Sequence, residues 1–183
     1  MKIKISTERM LKMVHILSWI LFIGLCIEAG GFISNVIFAL VNPSIVGHLW
    51  HQVDLSDLYK FGQGYFAVLT SIMSIITIMK ALLFYLIVKI LHDNKLNIFN
   101  PFSKELGNFI FNVSYLVFGI GIFSFFASKY VEWFVNQGIK MPDVNSLSID
   151  GDDVWLFMAV TLFIIAQIFK KGIELQEENE LTI

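Results

Sequence analysis

Long apolar stretches and short polar ones alternate along this chain. Residues 13–41, 65–91, 106–131 and 153–170 are predominantly apolar, and charged or turn-forming residues separate them. A helix needs about 20 mostly apolar residues to cross a hydrocarbon core about 30 Å thick. The first three stretches exceed that length, and the fourth, VWLFMAVTLFIIAQIF, is short but sufficient. Pro43, Pro101 and Pro142 all fall between stretches, where a missing N–H does little harm. Inside a bilayer the backbone must satisfy its own hydrogen bonds, so the stretches are predicted to be helices. The two-residue alternation of a membrane barrel is absent. The pattern therefore predicts an all-α integral membrane bundle of four transmembrane helices, up-down-up-down, in a single domain over residues 1–183. Loops 42–64 and 132–152 would lie on one side, and the tail 171–183 on the other.

Composition agrees with this reading. Of 183 residues, 56% are hydrophobic and 15% charged. Soluble domains carry about 25% charged residues, so this chain lacks the polar surface to cover a water-soluble globule; mean hydropathy is +0.72. The lipid bilayer is the first partner implied. A net charge of -2 without a basic stripe gives no reason to expect nucleic acid. Cys26 stands alone, which excludes an intramolecular disulfide, and no Cys/His set suggests a metal knuckle. No cofactor motif is present, and the expectation is none.

Basic residues set the orientation. Lys2, Lys4, Arg9 and Lys12 precede the first span, Lys89, Lys95 and Lys104 surround the 92–104 connection, and Lys170 and Lys171 follow the fourth span. Lys60, Lys129 and Lys140 lie on the opposite side. The bias places both termini in the cytoplasm, in a bacterial cytoplasmic (inner) membrane. The opposite loops carry Asp54, Asp57, Asp143 and Asp150, and Trp50, Trp133 and Trp155 sit near the outer boundary as interface aromatics. Span one has the basic start of a signal peptide but is too long and lacks a small-x-small cleavage site. LFIGLC has Leu25 where a lipoprotein box needs a small residue, so the segment is read as a retained helix.

Several polar residues interrupt the apolar runs. Lys80 lies nine residues from Lys89, about 13 Å deep at 1.5 Å per residue. A charge there tends to face other helices, or to reach back toward water along its own stem. Glu28 is the obvious counter-ion, but counting from Lys12 puts it roughly 10 Å beyond Lys80. Asn112 lies at about Lys80's depth, with Tyr115 one turn higher. Lys80 is accordingly expected to bond Asn112, Tyr115 or backbone oxygens, or to snorkel. Gln167 adds a polar group in span four. Gly30 and Gly31, beside Glu28, are expected to pack closely against Gly119 and Gly121; the alternative is a water-filled vestibule around Glu28.

In HLWHQVDLSD, His48, His51, Asp54 and Asp57 recur every three residues and would roughly align on a helical turn. Imidazole and carboxylate suit transition metals, but zinc pairs on helices usually use i, i+4 spacing. A surface segment with Leu49, Trp50, Val53, Leu55 and Leu58 turned inward is the plainer reading. Asp150, Asp152 and Asp153 open span four, where carboxylates suit a helix N-terminus. Neither GxSxG, HExxH nor a phosphate-cradling glycine loop occurs. No catalytic set is visible, and the expectation is a protein that is not an enzyme.

The end of the chain, IIAQIFKKGIELQEENELTI, reads as a span stopped by Lys170 and Lys171, then a short amphipathic helix loosely begun at Gly172. This ending resembles that of the bacterial "domain of unknown function 2975" family of small four-span membrane proteins. The family's closing phrase pairs an IF and two basic residues with a glycine, then L, EE and LT. Ile168 to Gly172, Leu175, Glu177, Glu178, Leu181 and Thr182 fill those places. Asn100, Pro101 and Phe102 match the family's NPF turn into span three. The motifs cover about 30 residues and the four-span layout extends across the chain; Lys80, Glu28 and the His48–Asp57 series belong to neither motif. The resemblance implies a topology without an assigned activity. Members are often encoded beside small helix-turn-helix regulators, which implies membrane-linked regulation.

Two functions remain in view. One is interaction with a cytoplasmic protein partner through NIFNPFSKEL and the acidic tail. The other is a small transporter or channel-like subunit using Glu28, Lys80, Asn112 and Gln167. Four helices rarely enclose a pore, so that function calls for a homo-oligomer, and Gly/Pro-broken paired helices are missing.

Overall fold

A computed structural model describes residues 7–93 and 102–180. Four long helices account for most of it: α1 (Thr7–Val41), α3 (Gln63–His92), α4 (Lys104–Asn136) and α5 (Asp152–Glu180), with a short α2 (Ser56–Phe61) between the first two. All four are long and apolar enough to cross a membrane, over Arg9–Ala39, Gln63–His92, Lys104–Asn136 and Asp152–Asn179. At 1.5 Å per residue each exceeds the roughly 30 Å of a hydrocarbon core. Among the described residues there is no strand, and Leu49 and Val53 form an isolated bridge.

Local signals explain where the helices begin and end. Asn42 caps a 3₁₀ turn over Pro43–Gly47, its side chain accepting the Ser44 N–H at 3.2 Å. Ser103 caps α4 by accepting the Leu106 N–H at 3.2 Å, with Glu105 in the first turn. Lys89 and His92 in the last turn of α3, and Asp152 and Asp153 in the first turn of α5, complement the helix dipoles. The fourth helix departs from expectation. It runs without a break through Lys170, Lys171 and Gly172 to Glu180, so no separate amphipathic helix begins at Gly172. One glycine costs a helix only about 1 kcal/mol, and the packing of Phe102 on Gly172 explains what occupies the missing side chain's place.

Contacts pair the beginning of each long helix with the end of its neighbour. His15 meets His92 and Phe22 meets Tyr85 between α1 and α3. Tyr65 meets Trp133 and Phe134 between α3 and α4, and Lys104 meets Glu177 between α4 and α5. Packing is most extensive between α4 and α5, then between α1 and α3. Gly121 lets α5 come close: a Cβ there would stand 3.1 Å from the Leu156 backbone nitrogen. Gly31 seats the Trp50 ring, Gly119 seats Met79, and Gly30 has open space. The two small-residue surfaces expected to meet each other therefore receive large side chains instead.

The main core lies at one end of the helices, here called the loop end, where residues 42–62 and 137–151 fold onto them. Phe32, Leu69, Met73, Ile120 and Phe134 from the helices pack there with Val46, Leu55, Leu58, Leu147 and Ile149 from the loops, all buried. A smaller cluster of Leu83, Val113, Val117 and Ala159 continues toward the tail end. Large apolar side chains on the outside of the helices, such as Ile16, Ile20, Phe126 and Phe157, are exposed. Hydrocarbon around the protein accounts for them, whereas a water-soluble chain rarely leaves so continuous a patch open.

Candidate functional site

At the loop end, Lys80 bonds a backbone oxygen, one of the partners expected of it, and that oxygen belongs to a loop. Lys80 Nζ donates to the backbone carbonyl of Ser148 at 2.9 Å. The Ser148 hydroxyl in turn donates to Glu28 Oε1. The ammonium also lies 5.7 Å from the centroid of the Trp155 ring, within cation–π reach. Glu28 and Asp150 are both near enough to act on it electrostatically. Helices α1 and α3 thus meet through one loop residue, and α5 adds Trp155 beside the ammonium. Ser148 adopts a left-handed backbone with φ of 56°, which is uncommon for a residue with a side chain.

This geometry corrects the depth reckoning. The His15–His92 and Phe22–Tyr85 contacts, continued along both helices, bring Glu28 level with Met79 and Lys80. The error came from treating Lys12 and Lys89 as equally deep: on this pairing Lys12 lies about six residues, or about 9 Å, further toward the tail end. Asn112 and Tyr115 are not Lys80's partners. Asn112 is exposed and lines a groove of about 200 Å³ between α3 and α4 with Lys89, Asp93, Glu105 and Asn108. Tyr115 is 62% exposed and meets Phe163 of α5 edge-on. Gln167 is exposed on α5. Trp155, expected at the interface, is half-buried between the two core clusters.

The His48–Asp57 series does not form a helical face. The backbone turns left-handed at His51 and Gln52, with φ of 61° and 58°, so the three-residue repeat is broken in its middle. His48 is exposed after the first 3₁₀ turn, and His51 packs its ring against Trp50 and Phe32. Asp54 accepts the Ser56 N–H at 2.9 Å, and that residue's hydroxyl and N–H hold the Asp54 carboxyl below its ordinary range. Asp57 pairs with Lys60 at 3.7 Å. Among the described residues no three His, Cys, Asp or Glu side chains gather closely enough to hold a metal. Leu49, Val53, Leu55 and Leu58 are buried, while the Trp50 ring rests on Gly31.

At the tail end, two stretches nearly seventy residues apart in sequence meet. Phe102 lies on Gly172, where a Cβ would stand 2.5 Å from the ring, and packs against Phe169 at 5.4 Å. Ile173 covers Gly107, and Lys104 pairs with Glu177 at 2.6 Å. Lys171 pairs with Glu174 at 3.2 Å, and Lys170, Leu175 and Glu178 face outward. An open cleft of about 260 Å³ runs between the two stretches, lined by Ser103, Glu105 and Gln176 among others. Asn100, Pro101, Leu181 and Thr182 lie outside the described residues.

Four long apolar helices and a core shared with two folded loops define the class: a multi-pass membrane protein. The family described as "Protein of unknown function (DUF2975)" matches residues 49–183, and the chain belongs to that family. No curated protein and no solved structure matches the chain.

Proposed function

We propose that this chain is a non-enzymatic protein of the bacterial cytoplasmic membrane that acts by holding a protein partner at its cytoplasmic end, in membrane-linked regulation. In this reading it is an up-down-up-down bundle with both termini inside, as the distribution of basic residues favours. The observation that carries the reading is the seating of Phe102 on Gly172 and Phe169. It joins the two motif stretches into one composite surface with Leu175 exposed beside it. The Lys104–Glu177 pair is solvent-exposed, so it contributes little to stability and is better suited to shaping a contact surface. Purification from mild detergent, with and without residues 173–183, tests the proposal. Partners lost on truncation support it, and identical partner sets defeat it.

A second reading is a transporter or channel-like subunit, favoured by the Lys80–Ser148–Glu28 chain, which links two apolar helices through a loop residue. It requires assembly into a homo-oligomer. Ion flux by the purified protein in proteoliposomes supports it, and its absence counts it out.

A further inference from the structure

The segment between α4 and α5 has the construction of a plug. It begins at Gly138 and ends at Gly151, both in left-handed conformations with φ of 80° and 76°. Such positions suit glycine because a Cβ is disfavoured there, and nothing stands within 4 Å of where a Gly138 Cβ would project. Between these two points the segment bonds chiefly to itself. Ser146 N–H donates to the Asp143 carbonyl at 3.0 Å, Ser148 N–H to Asn145 at 3.1 Å and Ile149 N–H to Val144 at 3.3 Å. A self-bonded segment with a glycine at either end can move as one body.

Its tip is driven into the protein. Leu147 and Ile149 are both fully buried in the core at the loop end. Ser148 between them has the one strained backbone of the tip and meets charged groups from two helices. Alternation explains this arrangement: the polar residues of Ser146–Leu147–Ser148–Ile149–Asp150 would otherwise face apolar surroundings. Lys80 takes the Ser148 carbonyl and Glu28 takes its hydroxyl, so one residue is held from both α3 and α1. Without those two bonds a half-buried carbonyl and hydroxyl would lose their partners, a costly arrangement.

We infer that residues 138–151 form a seated plug over the interior of the helix bundle, and that the Lys80–Ser148–Glu28 chain is the latch that holds it down. Breaking the latch lets the plug lift about its two glycines and admits water to Glu28, Asp150, Lys80 and Trp155. The charges that insert into membrane at a cost then have a use, which is to set how often the loop end opens. This inference is independent of the proposed cytoplasmic partner, since it concerns the opposite end of the helices.

Thiol accessibility tests it. In a Cys26→Ser background reconstituted in nanodiscs, which leave both faces open, Ile149→Cys reports on the plug and Asn145→Cys, at an exposed position, is the control. The probe is a charged, water-soluble maleimide. With the latch intact, Ile149→Cys should label slowly while Asn145→Cys labels fast. Adding Lys80→Met should speed Ile149→Cys labelling by roughly tenfold or more, as loss of a charge-assisted hydrogen bond implies, without changing the control. Ser148→Ala removes the donor and Glu28→Ala the acceptor of the hydroxyl–carboxylate bond of the latch, without removing the lysine. They should also speed labelling, and they decide the matter if Lys80→Met fails to fold. Equal labelling with the latch intact or broken, or fast labelling at Ile149→Cys from the start, overturns the inference.

Discussion

The ammonium of Lys80 and the carbonyl of Ser148, 68 residues apart in sequence, meet at 2.9 Å. A side chain from the middle of α3 thus ends on the backbone of a loop, and the loop passes the contact on to Glu28. Lys80→Met leaves that carbonyl without its donor and two nearby carboxylates without a cation. Removing one member of a half-buried charged set leaves the others poorly compensated. The expected loss is about 1–3 kcal/mol, read as a lowered thermal midpoint in detergent. Asn112→Ala should stay within about 0.5 kcal/mol of the parent. Equal effects from the two substitutions would mean that Asn112 shares the load.

Adjacent glycines in α1 should respond differently to the same change. Gly31→Ala puts a methyl group 2.3 Å from the Trp50 ring, whereas Gly30→Ala meets open space. Trp50 must leave its seat in the first variant, straining the bond from its N–H to Asn35, 3.0 Å long. Gly31→Ala is expected to lower the thermal midpoint and Gly30→Ala to leave it unchanged or raise it, since Ala is the better helix former.

Ser124 is fully buried in α4, and its hydroxyl has no hydrogen-bond partner. Ser18, Thr70, Ser74 and Thr77 escape this by bonding back to carbonyls in the preceding turn. Ser124→Ala removes an unsatisfied polar group at nearly constant volume. Thermal denaturation should show stability unchanged or raised by up to about 1 kcal/mol, where a typical buried serine would lose stability.

Asp54 gives a pH dependence of known sign. Ser56 holds its carboxyl below the ordinary range through two hydrogen bonds. The folded state therefore gains stability above the ordinary carboxylate pKa, and loses it as pH falls through the lowered value. The carboxyl is exposed, so the effect is small. Asp54→Asn should lower the thermal midpoint at about pH 7, and the gap to the parent should narrow as the pH falls below the ordinary carboxylate pKa. A gap that persists in acid contradicts the assignment.

The four long helices were legible because length and hydropathy alone fix them, and no tertiary detail enters that argument. Pairing between polar residues was not. Glu28 was set 10 Å too far from Lys80 because basic residues mark helix ends loosely, and α1 extends further toward the tail end than α3 does. A backbone oxygen is among the partners expected for Lys80, but every residue carries one, so the sequence does not single out Ser148; the alternation of Leu147 and Ile149 with polar neighbours is the available signal. Gly172 reads in the sequence as the loose start of a second helix, whereas tertiary contact with Phe102 uses its bare backbone as a seat. The motif residues themselves were found from their pattern, and only the fold could show that Phe102 and Gly172 touch.

Crosslinking from Leu175 bears most directly on the composite surface at the tail end. A photoreactive residue placed there, where the side chain is 49% exposed beside the Phe102–Gly172 contact, should trap a discrete protein adduct in intact cells. The same residue at Val160, on the apolar outside of α5, should trap none. Gly172→Ala displaces the Phe102 ring while keeping α5 helical, and should abolish the adduct. An adduct that survives Gly172→Ala unchanged, or none from Leu175 at all, contradicts the account.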